Sequence, residues 1–319
     1  MNHKIEKLVF LVGVIFCICF LTVRGVQANT DVSLTWKSSV VILPAGSTKS
    51  GEIIRLDRVV GTTESWASNV ATQHLKPGTK LPAVVYLHGC GGYNALDAWS
   101  LPLTGLGLAV FAPNSFARAG RTKLCGGGFM ADRMRVRLEE AKFAREQIRK
   151  ISWVDNDRVI LMGFSEGGNS TADYNGDEYI AQIPIGTDCR HQGGSPYASS
   201  DTPVLNIVGS RDHWDVGGGC SISSDEKGSR GLVIVGGSHD VSGEREALEA
   251  LVTFLDKCCG IRAAKAAFNY EKAANDLHAE FGELAPIFAF QYSEDALNSG
   301  DMNGHANWLK VRDLLEKIK

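Results

Sequence analysis

The stretch Val159-Ile160-Leu161-Met162-Gly163-Phe164-Ser165-Glu166-Gly167-Gly168 decides how this chain is read. Its first four residues are a continuous apolar run, which a strand covered on both faces of a parallel sheet requires. The next six make a G-x-S-x-G turn leading into a short predicted helix. Such a turn needs glycines because side chains at the flanking positions would collide with neighbouring backbone. A serine held on it becomes a nucleophile once a base lies within reach.

Working outward, similar runs recur at Ala83 to Leu87, Leu108 to Ala112, Ile180 to Ile185, Val204 to Val208 and Leu232 to Val235, each followed by glycine, proline or polar turn residues. Met130 to Ile151 places Met134, Leu138, Ala141, Ile148 and Ile151 on one helical face. Ala247, Leu248, Leu251, Val252 and Leu255 do the same, with Ser242 as N-cap and Gly260 as the stop. Strands alternating with helices predict an α/β class with a mostly parallel, doubly wound sheet. Residues 31 to 80, with strands at Val40 to Leu43 and Glu52 to Val60, are expected to add an antiparallel edge. No linker divides 29–260, so that span reads as one domain. Residues 261–319 read as a C-terminal helical extension packed on the same domain, its apolar stripes at Ile261, Ala264, Phe268 and at Trp308, Val311, Leu315, Ile318.

Two further polar groups stand just beyond strand ends, the edge where open α/β sheets build their sites. Asp212 follows the run Val204 to Val208, and His239 follows Leu232 to Val235. His239 would take the Ser165 proton and Asp212 would fix the imidazole tautomer. Asp215 and Asp240 compete for the acid, and His213 and His191 for the base. Upstream, the run Ala83 to Leu87 enters His88-Gly89-Cys90-Gly91-Gly92, a loop suited to supply a backbone N–H to an oxyanion. The second donor would be the N–H of Glu166, after the nucleophile, with Gly91 replacing Cys90 if the loop is rotated by one residue. His88 reads as structural, orienting that loop.

Taken together, HGCGG, Ala112 to Arg118 (APNSFAR), GFSEGG, GSRD and GGSHD resemble the dienelactone hydrolase family over roughly residues 80 to 258. The order Ser165, Asp212, His239 is similarly that of the α/β-hydrolases. The resemblance implies an α/β-hydrolase fold without a large lid, no cofactor, and small esters or lactones as substrates. Members proper carry cysteine at the position of Ser165 and an acid at that of Cys90, so the reading is a serine esterase of the broader family. A peptidase or acyltransferase with the same triad is the alternative, and a noncatalytic binding protein on this scaffold the third. Arg118 reads either as a solvated loop residue or as a substrate-binding clamp for a carboxylate.

The 319 residues carry 33 basic and 36 acidic side chains, a net charge of −3. Lys4 and Lys7 before the apolar run Leu8 to Val23, and the small-residue site Val26-Gln27-Ala28, read as a signal peptide over 1–28. Its removal takes three of the basic and one of the acidic groups, leaving net −5, no basic surplus for nucleic acid and no stable membrane anchor. An exported, secreted or periplasmic location follows, and the oligomeric state is not specified. Export suits six cysteines remaining beyond residue 28. Cys90 and Cys125 follow neighbouring strands, as do Cys189 and Cys220, so these two disulfides are expected. The adjacent Cys258 and Cys259 lack metal-binding spacing, and His191, His213 and Asp215 lack it too, so no metal is expected.

Overall fold

The computed structural model describes residues 32–57, 66–119, 121, 125, 130–187, 201–212, 228–262, 274, 275, 277–279, 282–298 and 302–317. Among the described residues eight strands form one sheet: β1 (Val40–Leu43), β2 (Ile54–Leu56), β3 (Leu81–Leu87), β4 (Ala109–Ala112), β5 (Val154–Phe164), β6 (Gln182–Ile185), β7 (Leu205–Gly209) and β8 (Arg230–Ile234). Their order is β2-β1-β4-β3-β5-β6-β7-β8. β1 runs antiparallel to β2 and β4, and every other neighbouring pair is parallel. The antiparallel edge expected from residues 31 to 80 is therefore present, although its second strand is shorter than the span 52–60. The same region also holds a helix, α1 (Trp66–His74), which was not expected from its Ser/Thr/Gly-rich composition. Ala71, one helical turn before buried Leu75, packs it onto the sheet.

Successive residues of the central strands serve opposite faces, as the pleat requires. Val84 and Tyr86 of β3 and Ile160 and Met162 of β5 meet one helical layer, α2 (Leu96–Gly105) and α5 (Arg245–Cys259). Ala83, Val85 and Leu87 of β3, with Val159 and Leu161 of β5, meet α1 and α3 (Met130–Ile148). Burial on both faces explains why these strands lack polar alternation. The α5 helix ends at Gly260, which takes the left-handed conformation with φ 61°, as the sequence indicates. Its N-cap is Glu244 rather than Ser242, because Val241 and Ser242 lie in the turn that precedes it.

On α3 the buried stripe differs from the apolar one. Arg137, Glu140, Ala141, Ala144 and Ile148 are buried, while Leu138 is half-buried. Arg137 and Glu140, one turn apart, thus sit on the sheet-facing side where Leu138 was expected, and Arg145 is buried further along the helix.

Beyond Gly260, α6 (Ala285–Asn298) and α7 (Met302–Leu315) pack on each other around Ala285, Ala289, Val311 and Leu315, with Ala274 and Leu277 completing the cluster. Tyr292 and Trp308 stack obliquely with ring centroids 5.1 Å apart.

Cys90 and Cys125 form a disulfide, with Cα atoms 5.1 Å apart. Cys258 and Cys259, assigned no partner from sequence, are bonded to each other at the end of α5. Cys189 and Cys220 lie outside the described residues, as do 1–28 and the competing His191, His213 and Asp215. No helix among the described residues is long and apolar enough to cross a membrane.

Candidate active site

The turn from β5 into α4 (Glu166–Asp173) carries Ser165 at φ 57° and ψ −116°, the one non-glycine residue with positive φ among those described. L-residues avoid this region at a cost of order 1–3 kcal/mol, tolerated only where surrounding structure fixes it. Here the fixing is visible. The Ser165 N–H donates to Ile185 O at 2.8 Å, and its carbonyl accepts from Asn169 N–H at 2.9 Å. A Cβ at Gly163 would overlap the carbonyl of Gly167, one at Gly167 the carbonyl of Leu87, and one at Gly168 the carbonyl of Ile185. Backbone from β3 and β6 therefore presses against the turn from either side.

His239 Nδ1 and Asp212 Oδ2 are 2.7 Å apart. The Asp212 carboxylate is fully buried, whereas the imidazole remains 27% exposed. A buried carboxylate on Nδ1 selects the tautomer with the proton there, leaving Nε2 as a base. Asp212 is held by its N–H to Gly209 O at 3.0 Å, and Arg211 N–H donates to Gly237 O at 2.9 Å, which joins the two loops. The ring of His239 lies 4.9 Å from that of Phe164, next to Ser165 in the chain.

The loop after β3 closes over the serine: a Cβ on Gly89 would stand 3.3 Å from Ser165 Cβ. His88 is fully buried. Ser115 N–H donates to His88 Nε2 at 3.1 Å, so that nitrogen accepts and Nδ1 carries the proton toward Gly89 O, 2.7 Å away. Tyr93 packs edge-on against the same ring and donates to Ala112 O at 2.9 Å. Burial pushes its phenol far above the usual tyrosine range, so it stays a neutral donor.

Glu166 was read from sequence for its backbone N–H alone. Its side chain, buried, pairs with Arg121 and lies 4.0 Å from Arg137 Nε. Arg137 donates to His88 O at 2.6 Å and to Glu140 Oε2 at 2.7 Å. Glu140 Oε1 accepts from Ser115 Oγ at 2.8 Å, and Arg121 Nε donates to the same hydroxyl at 3.0 Å. Two guanidiniums and two carboxylates thus balance beneath the loop and the turn. Arg137 and Glu140 stand at i, i+3 on α3, a spacing that an exposed ion pair shares, so no sequence signal marks their burial. Arg118 goes elsewhere. Its guanidinium donates to Val136 O at 3.3 Å and to Glu139 Oε2 at 3.0 Å, so it is engaged by α3.

The order of β3 to β8, the turn and the loop placement are those of the α/β-hydrolase fold. No protein-family model matches the chain, and no curated protein matches it. Among solved structures it is similar to esterase PE8, at 17% identity and a TM-score of 0.39 over 57% of this chain and 94% of that one. It is also similar to an alpha-beta serine hydrolase homologue from Coxiella burnetii, at 21% identity and a TM-score of 0.41 over 56% and 88%. A third is Est1E from Butyrivibrio proteoclasticus, at 15% identity and a TM-score of 0.40 over 58% and 90%.

Proposed function

We propose that this protein is an exported serine hydrolase that cleaves a carboxylic ester or lactone through an acyl-enzyme on Ser165. The observation that carries this reading is the left-handed backbone of Ser165 at a strand-to-helix turn whose glycines leave no room for side chains. Strain of that kind at a hydroxyl-bearing residue marks a nucleophile presented at the sheet edge. The 2.7 Å contact of His239 with Asp212 supports the remaining roles.

In this reading Ser165 Oγ attacks the ester carbon while His239 Nε2 takes the hydroxyl proton. Asp212 stabilises the imidazolium, and the N–H groups of Cys90 and Glu166 receive the oxyanion. His239 then hands the proton to the leaving alcohol as the C–O bond breaks. Water repeats the sequence on the acyl-enzyme and releases the carboxylic acid. Cleavage of residues 1–28 and export belong to the same reading, favoured by the Cys90–Cys125 bridge.

Incubation with an alkyl fluorophosphonate tests the reading directly. One adduct per chain is expected, mapped to Ser165 and abolished in Ser165→Ala, together with hydrolysis of short acyl p-nitrophenyl esters. A labelled Ser165 without ester turnover would turn the reading toward a peptidase or acyltransferase. An unlabelled protein would point to the noncatalytic scaffold. N-terminal sequencing of exported protein tests cleavage after Ala28.

A further inference from the structure

We propose that Arg137 is a positioning residue that holds the two oxyanion donors at a fixed spacing, an inference that rests on the function proposed above. A peptide group is planar, so whatever fixes its carbonyl also fixes the N–H on its far side. The peptide that carries the Cys90 N–H has Gly89 O as its carbonyl, and that oxygen is held by His88 Nδ1 at 2.7 Å. The preceding peptide has His88 O as its carbonyl, and Arg137 Nη2 holds it at 2.6 Å. On the other side of the hole, the Glu166 N–H belongs to the residue whose carboxylate lies 4.0 Å from Arg137 Nε. One guanidinium therefore reaches both donor segments, one of them preceding α4 by more than seventy residues in the chain.

The guanidinium is itself immobile. Its side chain is fully buried, and Nη1 is anchored by Glu140, whose other oxygen accepts from Ser115 Oγ. Ser115 N–H in turn holds the His88 ring. A planar fork with fixed N–H directions transmits position from α3 to the His88 carbonyl, which a flexible ammonium does not do, and its charge, 4.0 Å from the Glu166 carboxylate, holds the second segment electrostatically. Arg137 also serves electrostatically. The carboxylate of Glu166 would oppose charge developing on the substrate oxygen, and pairing with Arg137 and Arg121 cancels that opposition.

The test compares an ordinary ester with the thionoester of the same shape, in which sulfur replaces the carbonyl oxygen. Sulfur accepts hydrogen bonds poorly and draws little from the hole, so it reports on the triad but hardly on the donors. Arg137→Lys keeps the buried charge and removes the fork. Its kcat for the oxygen ester should fall about 10- to 100-fold, below the loss of a whole oxyanion donor. KM should stay within about twofold and the thionoester rate within about threefold, because the donors act in the transition state. Glu166→Gln keeps the shape and loosens the same bridge from its other end. It should lower the ratio of oxygen-ester to thionoester rates in the same direction, and it decides the matter if Arg137→Lys does not fold. An unchanged ratio, or equal losses on both substrates, overturns the positioning role. Ser165→Ala is measured beside them. Turnover surviving there removes the proposed function itself, whereas Ser165-dependent turnover with an unchanged ratio removes only the inference.

Discussion

The two halves of the candidate site are built differently. The nucleophile half, at the ends of β3 and β5, is fixed by backbone contacts that admit no Cβ at three glycines and by charged groups with little or no exposure. The acid–base half, beyond β7 and β8, is carried by two loops, Gly209 packing against the carbonyls of Gly237 and Ser238, and it keeps its imidazole 27% exposed. The difference matches what each half would do in the proposed function. Donors that receive a developing charge act best when already in place, while a base that carries protons between serine, leaving group and water needs access to the mouth of the site.

The largest test of that contrast removes the chemistry. Ser165→Ala and His239→Ala should each lower kcat by about 10⁴-fold or more, with the double variant little worse, because groups acting as a unit are non-additive. Ester hydrolysis by the three purified variants checks this, and additive losses would separate the halves. Next in size, Gly167→Ala should reduce the yield of folded protein and its melting temperature, since its Cβ would occupy the position of Leu87 O. Gly186→Ala, facing His239 Cε1 at 3.2 Å from φ 58°, should instead lower kcat about 10-fold while costing only about 1–2 kcal/mol in stability. If thermal melts and kinetics show the two substitutions behaving alike, the contrast fails.

The Cys90–Cys125 bridge spans 35 residues and anchors the donor loop, so Cys125→Ser should cost about 2–4 kcal/mol in denaturant unfolding. Loss of activity beyond that predicted from the folded fraction would show that the bridge also sharpens the rigid half. The smallest effect belongs to Arg118→Ala. With its guanidinium engaged by Glu139, turnover of acidic and neutral esters should change equally, by less than about threefold. A selective loss on acidic esters would restore the clamp read from sequence.

Much of this architecture was legible because parallel strands advertise themselves as apolar runs and the elbow as a glycine pattern. The alternation of Val159 to Met162 between two cores and the placement of Asp212 and His239 at strand ends follow from those rules. The buried ion network was not legible. A helix pattern weighs arginine and glutamate as solvent-facing, and only tertiary pairing makes it favourable to turn Arg137 and Glu140 inward in place of Leu138. Arg118 and Arg121 illustrate the same limit. They lie three residues apart on one loop, yet only the second reaches the carboxylate beside the nucleophile.

The glycine cradle also says how freely this segment of sequence can vary. At 163 any side chain meets the main chain of Gly167 in the following helix, and at 167 and 168 that of β3 and β6, so no rotamer relieves the overlap and glycine alone fits. Ser165 and Glu166 are confined by hydroxyl chemistry and by the guanidiniums they serve. Phe164, half-buried against the His239 ring, is the one residue of the six facing soft, movable neighbours. A saturation library across 163–168 that retained hydrolysis would have its diversity concentrated there, and the packing against the imidazole could drift through that single position while the turn beneath it stayed the same.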